Sequence, residues 1–163
     1  MRTPDSKIMT LEQATAWRQT LRRDHLRLAL TNGCFDLLHR GHAEYLARAR
    51  ESADALLVAV NSDASVKLLK GPTRPVVSEQ DRAFLLACLE AVDAVVVFAG
   101  VKPTDVFRQV PPDVYVKGGD YTLDTLDREE RDVLMSFGCA FRFIPFVPGF
   151  STTSTISRVR SQG

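Results

Sequence analysis

Apolar and polar positions follow two alternating patterns along the chain. Short apolar runs of strand length occur at 26–31, 55–60, 94–98, 113–117 and 140–145. Between them, apolar residues recur at helical spacing over 10–23, 41–51, 78–89, 103–109, 124–137 and 151–160. Strands that alternate with helices predict a parallel sheet with helices on both faces, so the expected fold class is α/β in three layers.

Local signals mark several boundaries of these elements. Thr10 with Gln13 resembles a capping box, Pro103 stands at a first helical position, and Gly138 ends the helix before it. The polar segment 67–78 contains one glycine and two prolines. That composition predicts a mobile loop between the second strand and the next helix.

Length, charge and cysteine content exclude several classes of protein. A length of 163 residues fits one domain, which we expect over 1–163 with an N-terminal helical extension over 1–25. The chain carries 21 Lys+Arg and 20 Asp+Glu, so it has no general attraction to nucleic acid or to an anionic membrane. Its apolar runs are far shorter than the roughly 20 residues that span a bilayer. The three cysteines are far apart and form no CxxC pair. These features predict a cytoplasmic protein with no nucleic-acid or membrane partner.

The strongest chemical signal is TNGCFDLLHRGH at 31–42, directly after the first predicted strand. Ligands of open parallel sheets bind beyond the carboxyl ends of the strands. Gly33 permits a sharp turn there, and His39 and His42 can face one spot beside a helix N-terminus. Two imidazoles at that positive end suit a phosphate whose charge grows during reaction. Zinc ligation and a purely structural role are the alternatives, although no third ligand has a matching spacing.

Three further segments fit phosphate or sugar recognition less specifically. GFSTTSTISRVR at 149–160 puts hydroxyls at a helix start, VKGGDY at 116–121 allows close backbone approach, and KLLKGPTRP at 67–75 is locally basic. Each also has an ordinary interpretation. They are, respectively, a capping run, a turn with a solvated lysine, and a solvated basic loop.

Taken together, these motifs resemble a known family. GCFDLLHRGH resembles the HxGH signature of nucleotidyltransferases, and the longer strings around it are similar to the heptose 1-phosphate adenylyltransferases that make ADP-heptose. The resemblance covers nearly the whole chain. It implies a Rossmann-like five-stranded parallel sheet in the order 3-2-1-4-5. It also implies in-line attack of D-glycero-β-D-manno-heptose 1-phosphate on the α-phosphate of ATP, with Mg²⁺, and a homodimer.

The same resemblance implies roles for particular residues. Catalytic roles fall on His39, His42 and Lys70. Nucleotide contacts fall on Thr31, Asn32, Gly33, Cys34, Phe35, Gly41, Lys117, Gly119, Asp120, Ser151, Thr152 and Thr153. Contacts to the sugar phosphate fall on Asp36, Asn61, Arg74 and Arg82. No protein side chain is expected to bind the metal, because Mg²⁺ would be carried by the phosphates.

The sequence departs from the family pattern in one stretch. Residues 122–141 lack the Gly-rich turn that the family has before its last strand. Two other hypotheses therefore stay open beside the adenylyltransferase. One is a cytidylyltransferase for glycerol 3-phosphate or another small phosphate, and the other is a nucleotide-binding module without turnover. The presence of both His39 and His42 argues against the second, since binding alone does not need two donors at a reacting phosphate.

Overall fold

Five parallel strands form the centre of the structure, a computed structural model that describes residues 2–145 and 148–161. The strands are β1 (Leu28–Gly33), β2 (Ala55–Asn61), β3 (Ala94–Phe98), β4 (Val114–Gly118) and β5 (Ala140–Ile144). They pair in the order β3-β2-β1-β4-β5, and every pairing is parallel. This confirms the expected α/β fold class and the strand order 3-2-1-4-5.

Seven α-helices are present within the described residues, and five of them cover the two faces of the sheet. They are α1 (Leu11–Arg23), α2 (Arg40–Arg50), α3 (Asp63–Lys70), α4 (Glu79–Ala87), α5 (Thr104–Gln109), α6 (Arg128–Ser136) and α7 (Thr152–Ser161). In the ranges 2–145 and 148–161, no helix is both long and apolar enough to cross a membrane.

Two hydrophobic clusters lie on opposite faces of the sheet. Leu56 belongs to one cluster and its neighbour Leu57 to the other, because successive side chains of a strand point to opposite faces. The face that contains Leu57 is covered by side chains of α1, α5 and α6, and the face that contains Leu56 by side chains of α2 and α4. Burial on both faces explains why β2 reads as an unbroken apolar run.

The segment 67–78 is the main error of the sequence-based prediction. Its first residues are not in a loop, because Lys67 and Lys70 belong to α3. Ser62 starts this helix by accepting a hydrogen bond from the Ser65 N–H, and Val66 anchors it in the core. The helix ends at Gly71, whose φ of +97° suits glycine.

Several element starts also differ from the predicted ones, by one to four residues. Helix α6 begins at Arg128 rather than at 124, because the Asp127 carboxylate caps the N–H groups of the first turn. Strand β1 begins at Leu28 rather than at 26. Pro103 is the N-cap of α5 instead of its first helical residue.

Candidate active site

The two histidines of the HxGH motif lie at the start of α2, just beyond the carboxyl end of β1. His39 is the N-cap of α2, and its Nδ1 accepts a hydrogen bond from the backbone N–H of His42 at 3.3 Å. A neutral imidazole that accepts through Nδ1 carries its proton on Nε2. His39 therefore has an N–H donor to offer to a ligand.

Aromatic rings sandwich these histidines. The rings of His39 and His42 stack with centroids 3.8 Å apart and an angle of 14° between their planes. Phe35 packs edge-on against His42 at 5.4 Å, and Phe150 covers the other side of His39 at 6.2 Å. We call this run of four rings (Phe150, His39, His42 and Phe35) the aromatic column. The column joins the loop after β1 to the segment that precedes α7.

Burial keeps both histidines neutral at neutral pH. Desolvation lowers the pKa of His39 and, aided by the nearby His39, lowers the pKa of His42 to about 4. Among the residues that the structure describes, Nδ1 of His42 has no hydrogen-bond partner although it is buried. The pair is thus a set of neutral imidazoles whose protonation a bound phosphate would favour.

Gly41 is required by the close approach of α2 to the segment before α7. A Cβ at position 41 would lie 2.8 Å from the Cβ of Phe150 and 3.1 Å from the ring of His39. No side chain fits there without displacing one of these groups. The small residue of the motif therefore lets the start of α2 and the aromatic column share one space.

Asp36 ties together the segments that surround the histidines. Its buried carboxylate accepts hydrogen bonds from Arg74 Nε at 2.7 Å, from the Val76 N–H at 2.9 Å and from the Val77 N–H at 3.0 Å. Its backbone oxygen accepts one from the Thr152 hydroxyl at 2.8 Å. Burial opposes the charge of the carboxylate, but the hydrogen bonds from Val76, Val77 and Arg74 outweigh it and lower the pKa of Asp36. Asp36 stays ionised and orients the loop after α3.

Arg82 is a second buried residue that links the segments around the site. Its Nε donates to the Val77 carbonyl at 3.0 Å, its Nη2 to the Asp63 carboxylate at 2.8 Å, and its Nη1 to the Cys34 carbonyl. Only 1% of the residue is exposed. This arrangement gives Arg82 a positioning role, and the contact to the sugar phosphate that the family resemblance implies for it stays a prediction.

A polar group at the carboxyl end of β4 faces the end of β1. The Tyr115 hydroxyl donates to Asn32 Oδ1 at 2.6 Å and accepts from Lys117 Nζ at 3.2 Å. Burial lowers the pKa of Lys117. Gly119 follows with a φ of +110°, which turns the chain toward the exposed Asp120.

Other predicted site residues fall into two groups. Thr31 and Asn61 point into the protein, where the Thr31 hydroxyl pairs with the Tyr45 hydroxyl at 2.7 Å and Asn61 Nδ2 donates to Ser65 Oγ at 2.8 Å. The second group is exposed, with Lys70 at the end of α3 and Ser151 and Thr153 at the start of α7. The side chains of the second group are available to a ligand, whereas Thr31 and Asn61 are buried within paired strands of the sheet.

The thiol of Cys34 is partly buried near three cationic side chains. Burial raises the pKa of Cys34, while the charges of Lys70, Arg82 and Arg74 act in the opposite direction. The thiol therefore stays protonated at neutral pH. Arg74 and Arg82 are paired with Asp36 and Asp63, whereas Lys70 is exposed at the end of α3 and can attract an anion.

Sequence reasoning missed two residues of the site, Tyr115 and Phe150. A tyrosine inside a buried strand was the available signal for the first, since a buried phenol needs a hydrogen-bond partner. Phe150 directly precedes the hydroxyl run of α7, but nothing local indicates that it covers His39.

The described side chains at the site offer few oxygen ligands for a metal ion. Across residues 2–145 and 148–161, no group of three or more His, Cys, Asp and Glu side chains is placed to hold a metal ion. Mg²⁺ prefers oxygen ligands, whereas the site offers imidazoles and cationic groups and the Asp36 oxygens are already hydrogen-bonded. This donor set suits a phosphate that brings its own cation.

The sequence matches the cytidylyltransferase-like family over residues 30–160, a range that contains the histidine pair, the Asp36 strut and the start of α7. The chain belongs to this family of nucleotidyltransferases. This confirms the expectation that the chain is a nucleotidyltransferase.

Curated relatives match nearly the whole chain. It is 48% identical to the bifunctional protein HldE of Rhodospirillum rubrum and 45% identical to that of Syntrophotalea carbinolica, each alignment covering 95% of this chain and 31% of the relative. A bifunctional protein HldE of Helicobacter pylori is 45% identical over 94% of this chain and 31% of its own length. The chain spans about a third of the length of these relatives.

Solved structures share the fold. The crystal structure of a lipopolysaccharide core biosynthesis protein from Thermoplasma volcanium has a TM-score of 0.60 at 25% identity, covering 75% of this chain and 97% of that one. Pantothenate synthetase from Thermus thermophilus has a TM-score of 0.57 at 22% identity, covering 86% of this chain and 62% of that one, and this likeness concerns the fold alone.

Proposed function

We propose that this chain is an adenylyltransferase that joins ATP and D-glycero-β-D-manno-heptose 1-phosphate to give ADP-heptose and pyrophosphate. The observation that carries the proposal is the stacked pair of His39 and His42 at the N-terminus of α2. Membership of the cytidylyltransferase-like family supports the reaction class. The 45–48% identity to bifunctional HldE proteins supports the sugar phosphate as substrate.

In the proposed reaction, a phosphate oxygen of the sugar attacks the α-phosphorus of ATP in line, and pyrophosphate leaves. Negative charge grows on the α-phosphate and on the leaving group during this step. The Nε2–H of His39, the imidazole of His42 and the free N–H groups of α2 are the donors that stabilise this charge. No covalent enzyme intermediate is needed, so catalysis consists of positioning and charge stabilisation.

The remaining roles follow the position of each residue around the crevice. Lys70, at the exposed end of α3, would neutralise the triphosphate as a third catalytic group. The proposed nucleotide contacts come from Thr31, Asn32, Gly33, Cys34, Phe35, Gly41, Lys117, Gly119, Asp120, Ser151, Thr152 and Thr153. The proposed sugar-phosphate side is built from Asp36, Asn61, Arg74 and Arg82, with Asp36 and Arg82 acting through the loop that they hold.

The proposed nucleotide substrate is the magnesium complex of ATP. The divalent ion would neutralise phosphate charge and enter with the nucleotide, because the donor set of the site contains no free carboxylate pair within the described residues. The residues that meet this complex are the histidines and lysines already named. They bind and orient its phosphate oxygens.

We propose a cytoplasmic location and a single nucleotidyltransferase domain over 1–163. Three free cysteines support a reducing compartment. A homodimer is also proposed, and its support is a set of exposed apolar side chains on α3 and α4: Leu68, Leu69, Phe84 and Leu85. Light scattering of the purified chain would give about 36 kDa for a dimer, twice the 18.1 kDa of one copy.

Pyrophosphate release tests the proposed reaction. ATP and CTP are each combined, with Mg²⁺, with heptose 1-phosphate and with glycerol 3-phosphate, and a His39→Ala/His42→Ala double variant serves as the inactive control. Release with ATP and heptose 1-phosphate alone is the expected result. Release with CTP or with glycerol 3-phosphate instead would keep the chemistry and overturn the substrate. Failure of all four pairs would overturn the proposed substrates and leave another sugar phosphate first, and a nucleotide-binding module next.

A further inference from the structure

A buried phenol connects the ends of two neighbouring strands. Tyr115 lies in β4 with none of its surface exposed, and its ring packs against Phe107 and Phe141. Its hydroxyl nevertheless makes two hydrogen bonds at the carboxyl edge of the sheet. One goes to Asn32 Oδ1 of β1 at 2.6 Å, and the other comes from Lys117 Nζ of β4 at 3.2 Å.

Lys117 fixes the direction of one of these hydrogen bonds, and the structure gives the direction of the other. An ammonium group has only donors, so Lys117 must donate to the phenol oxygen. The phenol hydrogen is then free to point at Asn32, which presents its carbonyl oxygen to the hydroxyl. In the described part of the chain, no residue accepts a hydrogen bond from Asn32 Nδ2, so both of its hydrogens remain for a ligand.

We propose that Tyr115 is a positioning residue of the nucleotide site, which sets the carboxamide of Asn32 and the ammonium of Lys117 through one hydroxyl. The hydroxyl itself touches no ligand in this scheme. It acts through two residues whose own contacts to nucleotide rest on the proposed function. The arrangement prepares two donors on adjacent strands before the nucleotide arrives, which reduces the ordering that binding requires.

Charges around the phenol keep it in the donating form. Glu130 of α6 is buried, with 8% of its surface exposed, and lies on the same side of the sheet. Burial raises the pKa of Tyr115 and the charge of Glu130 raises it further, so the group remains a phenol. Burial lowers the pKa of Lys117, while the charges of Glu130 and Asp127 oppose that shift and favour the ammonium.

Asparagine labelling gives a direct test because the sequence contains only two asparagines, Asn32 and Asn61. Protein labelled with ¹⁵N at asparagine shows two pairs of side-chain amide resonances. In Tyr115→Phe, which keeps the ring in the core, the Asn32 pair should shift and the Asn61 pair should stay in place. Tyr45→Phe is the matched control, since it removes another hydroxyl that links β1 and β4. An unmoved Asn32 pair in Tyr115→Phe overturns the proposal.

Nucleotide affinity, measured by calorimetry with MgATP, tests the consequence for binding. Tyr115→Phe should raise the dissociation constant about three- to tenfold, the size expected for one lost hydrogen bond. Tyr45→Phe should leave it unchanged. In an Asn32→Ala/Lys117→Met background, Tyr115→Phe should add nothing further, because it acts through those two side chains. A full additional loss in that background overturns the proposal.

The two arms separate this inference from the proposed function. If the wild-type chain bound no MgATP, the adenylyltransferase proposal would fall, and the amide resonances would still decide whether Tyr115 sets Asn32. If Tyr115→Phe and Tyr45→Phe lowered the melting temperature equally and both left Asn32 and the affinity unchanged, Tyr115 would be a core residue only.

Discussion

The imidazole rings of His39 and His42 stack with their centroids 3.8 Å apart. Nδ1 of His39 also accepts a hydrogen bond from the backbone N–H of His42. The N-cap of α2 and a candidate catalytic group are thus one side chain. Because the cap fixes the ring, the remaining N–H of His39 has a set direction before any ligand binds. Stacking and capping together explain how two side chains on one short motif become a preorganised site.

Phe150 is expected to control the burial of His39. Phe150→Ala should raise the pKa of His39 toward the ordinary 6.5, because water would reach the ring, and should lower turnover. Phe150→Tyr keeps the ring and should preserve both. Proton NMR titration of the three histidines measures the pKa. Phe84→Ala is the control of similar exposure on α4. A His39 pKa that is equal in Phe150→Ala and in Phe84→Ala would contradict this role.

Gly41→Ala should lower turnover while leaving the melting temperature nearly unchanged. Alanine is the better helix former by roughly 0.5–1 kcal/mol, so the melting temperature should not fall strongly. The added Cβ lies 2.8 Å from that of Phe150, however, and must push the aromatic column apart. Turnover should drop by about 10- to 100-fold, as expected for a misplacement on the order of 1 Å. Comparison of thermal melts with pyrophosphate release checks this, and full activity with an intact fold would show that the close approach is unimportant.

Asp36→Asn should destabilise the fold strongly. The substitution leaves the Arg74 guanidinium, of which 15% of the side chain is exposed, without its counter-charge and puts an NH₂ group among N–H donors. The free energy of unfolding should fall by about 3 kcal/mol. Asp105→Asn removes a matched but exposed ion pair with Arg108 and should cost less than about 1 kcal/mol. Urea denaturation measures the free energy of unfolding of both variants. Equal losses would contradict the role of Asp36 in holding the loop after α3.

Acid should destabilise the protein through His42. Its pKa is about 4 in the folded chain against 6.5 ordinarily, so below pH 6.5 the unfolded chain takes up the proton first. Stability that is present above pH 6.5 is therefore lost as the pH falls toward 4. Between pH 7 and 5, this loss should be about 1–2 kcal/mol after allowance for solvent screening. Urea denaturation at both pH values should show a smaller loss in His42→Gln, and an identical loss in both proteins would contradict the burial of a neutral His42.

Much of the fold can be predicted from local sequence. Fully apolar runs such as 55–60 identify strands because a parallel sheet buries both faces of each strand. The order of the strands came from the family resemblance, since no local pattern encodes which strands pair. Helix α3 was missed because Gly71 and the prolines that follow it dominate the composition of a segment whose first residues are helical.

The contacts that complete the site join residues distant in sequence. Asp36 meets the loop at Val76 and Val77 about 40 positions later, and Tyr115 meets Asn32 across 83. Such partners depend on the packing of separate elements. The motif at 31–42 therefore identifies the two histidines from sequence. The contacts of Asp36 and Arg82 with the loop after α3, and the packing of Phe150 on His39, are seen only in the folded chain.

The most direct test of the central claim compares turnover with nucleotide affinity in His39→Ala. A donor that acts on growing charge should, when removed, lower the turnover number by about 10²–10³ and leave the dissociation constant of MgATP within about threefold. His25→Ala, at an exposed position before β1, is the control and should change neither. Equal losses of turnover and affinity would mean that His39 serves binding alone, and unchanged turnover would remove it from the catalytic machinery.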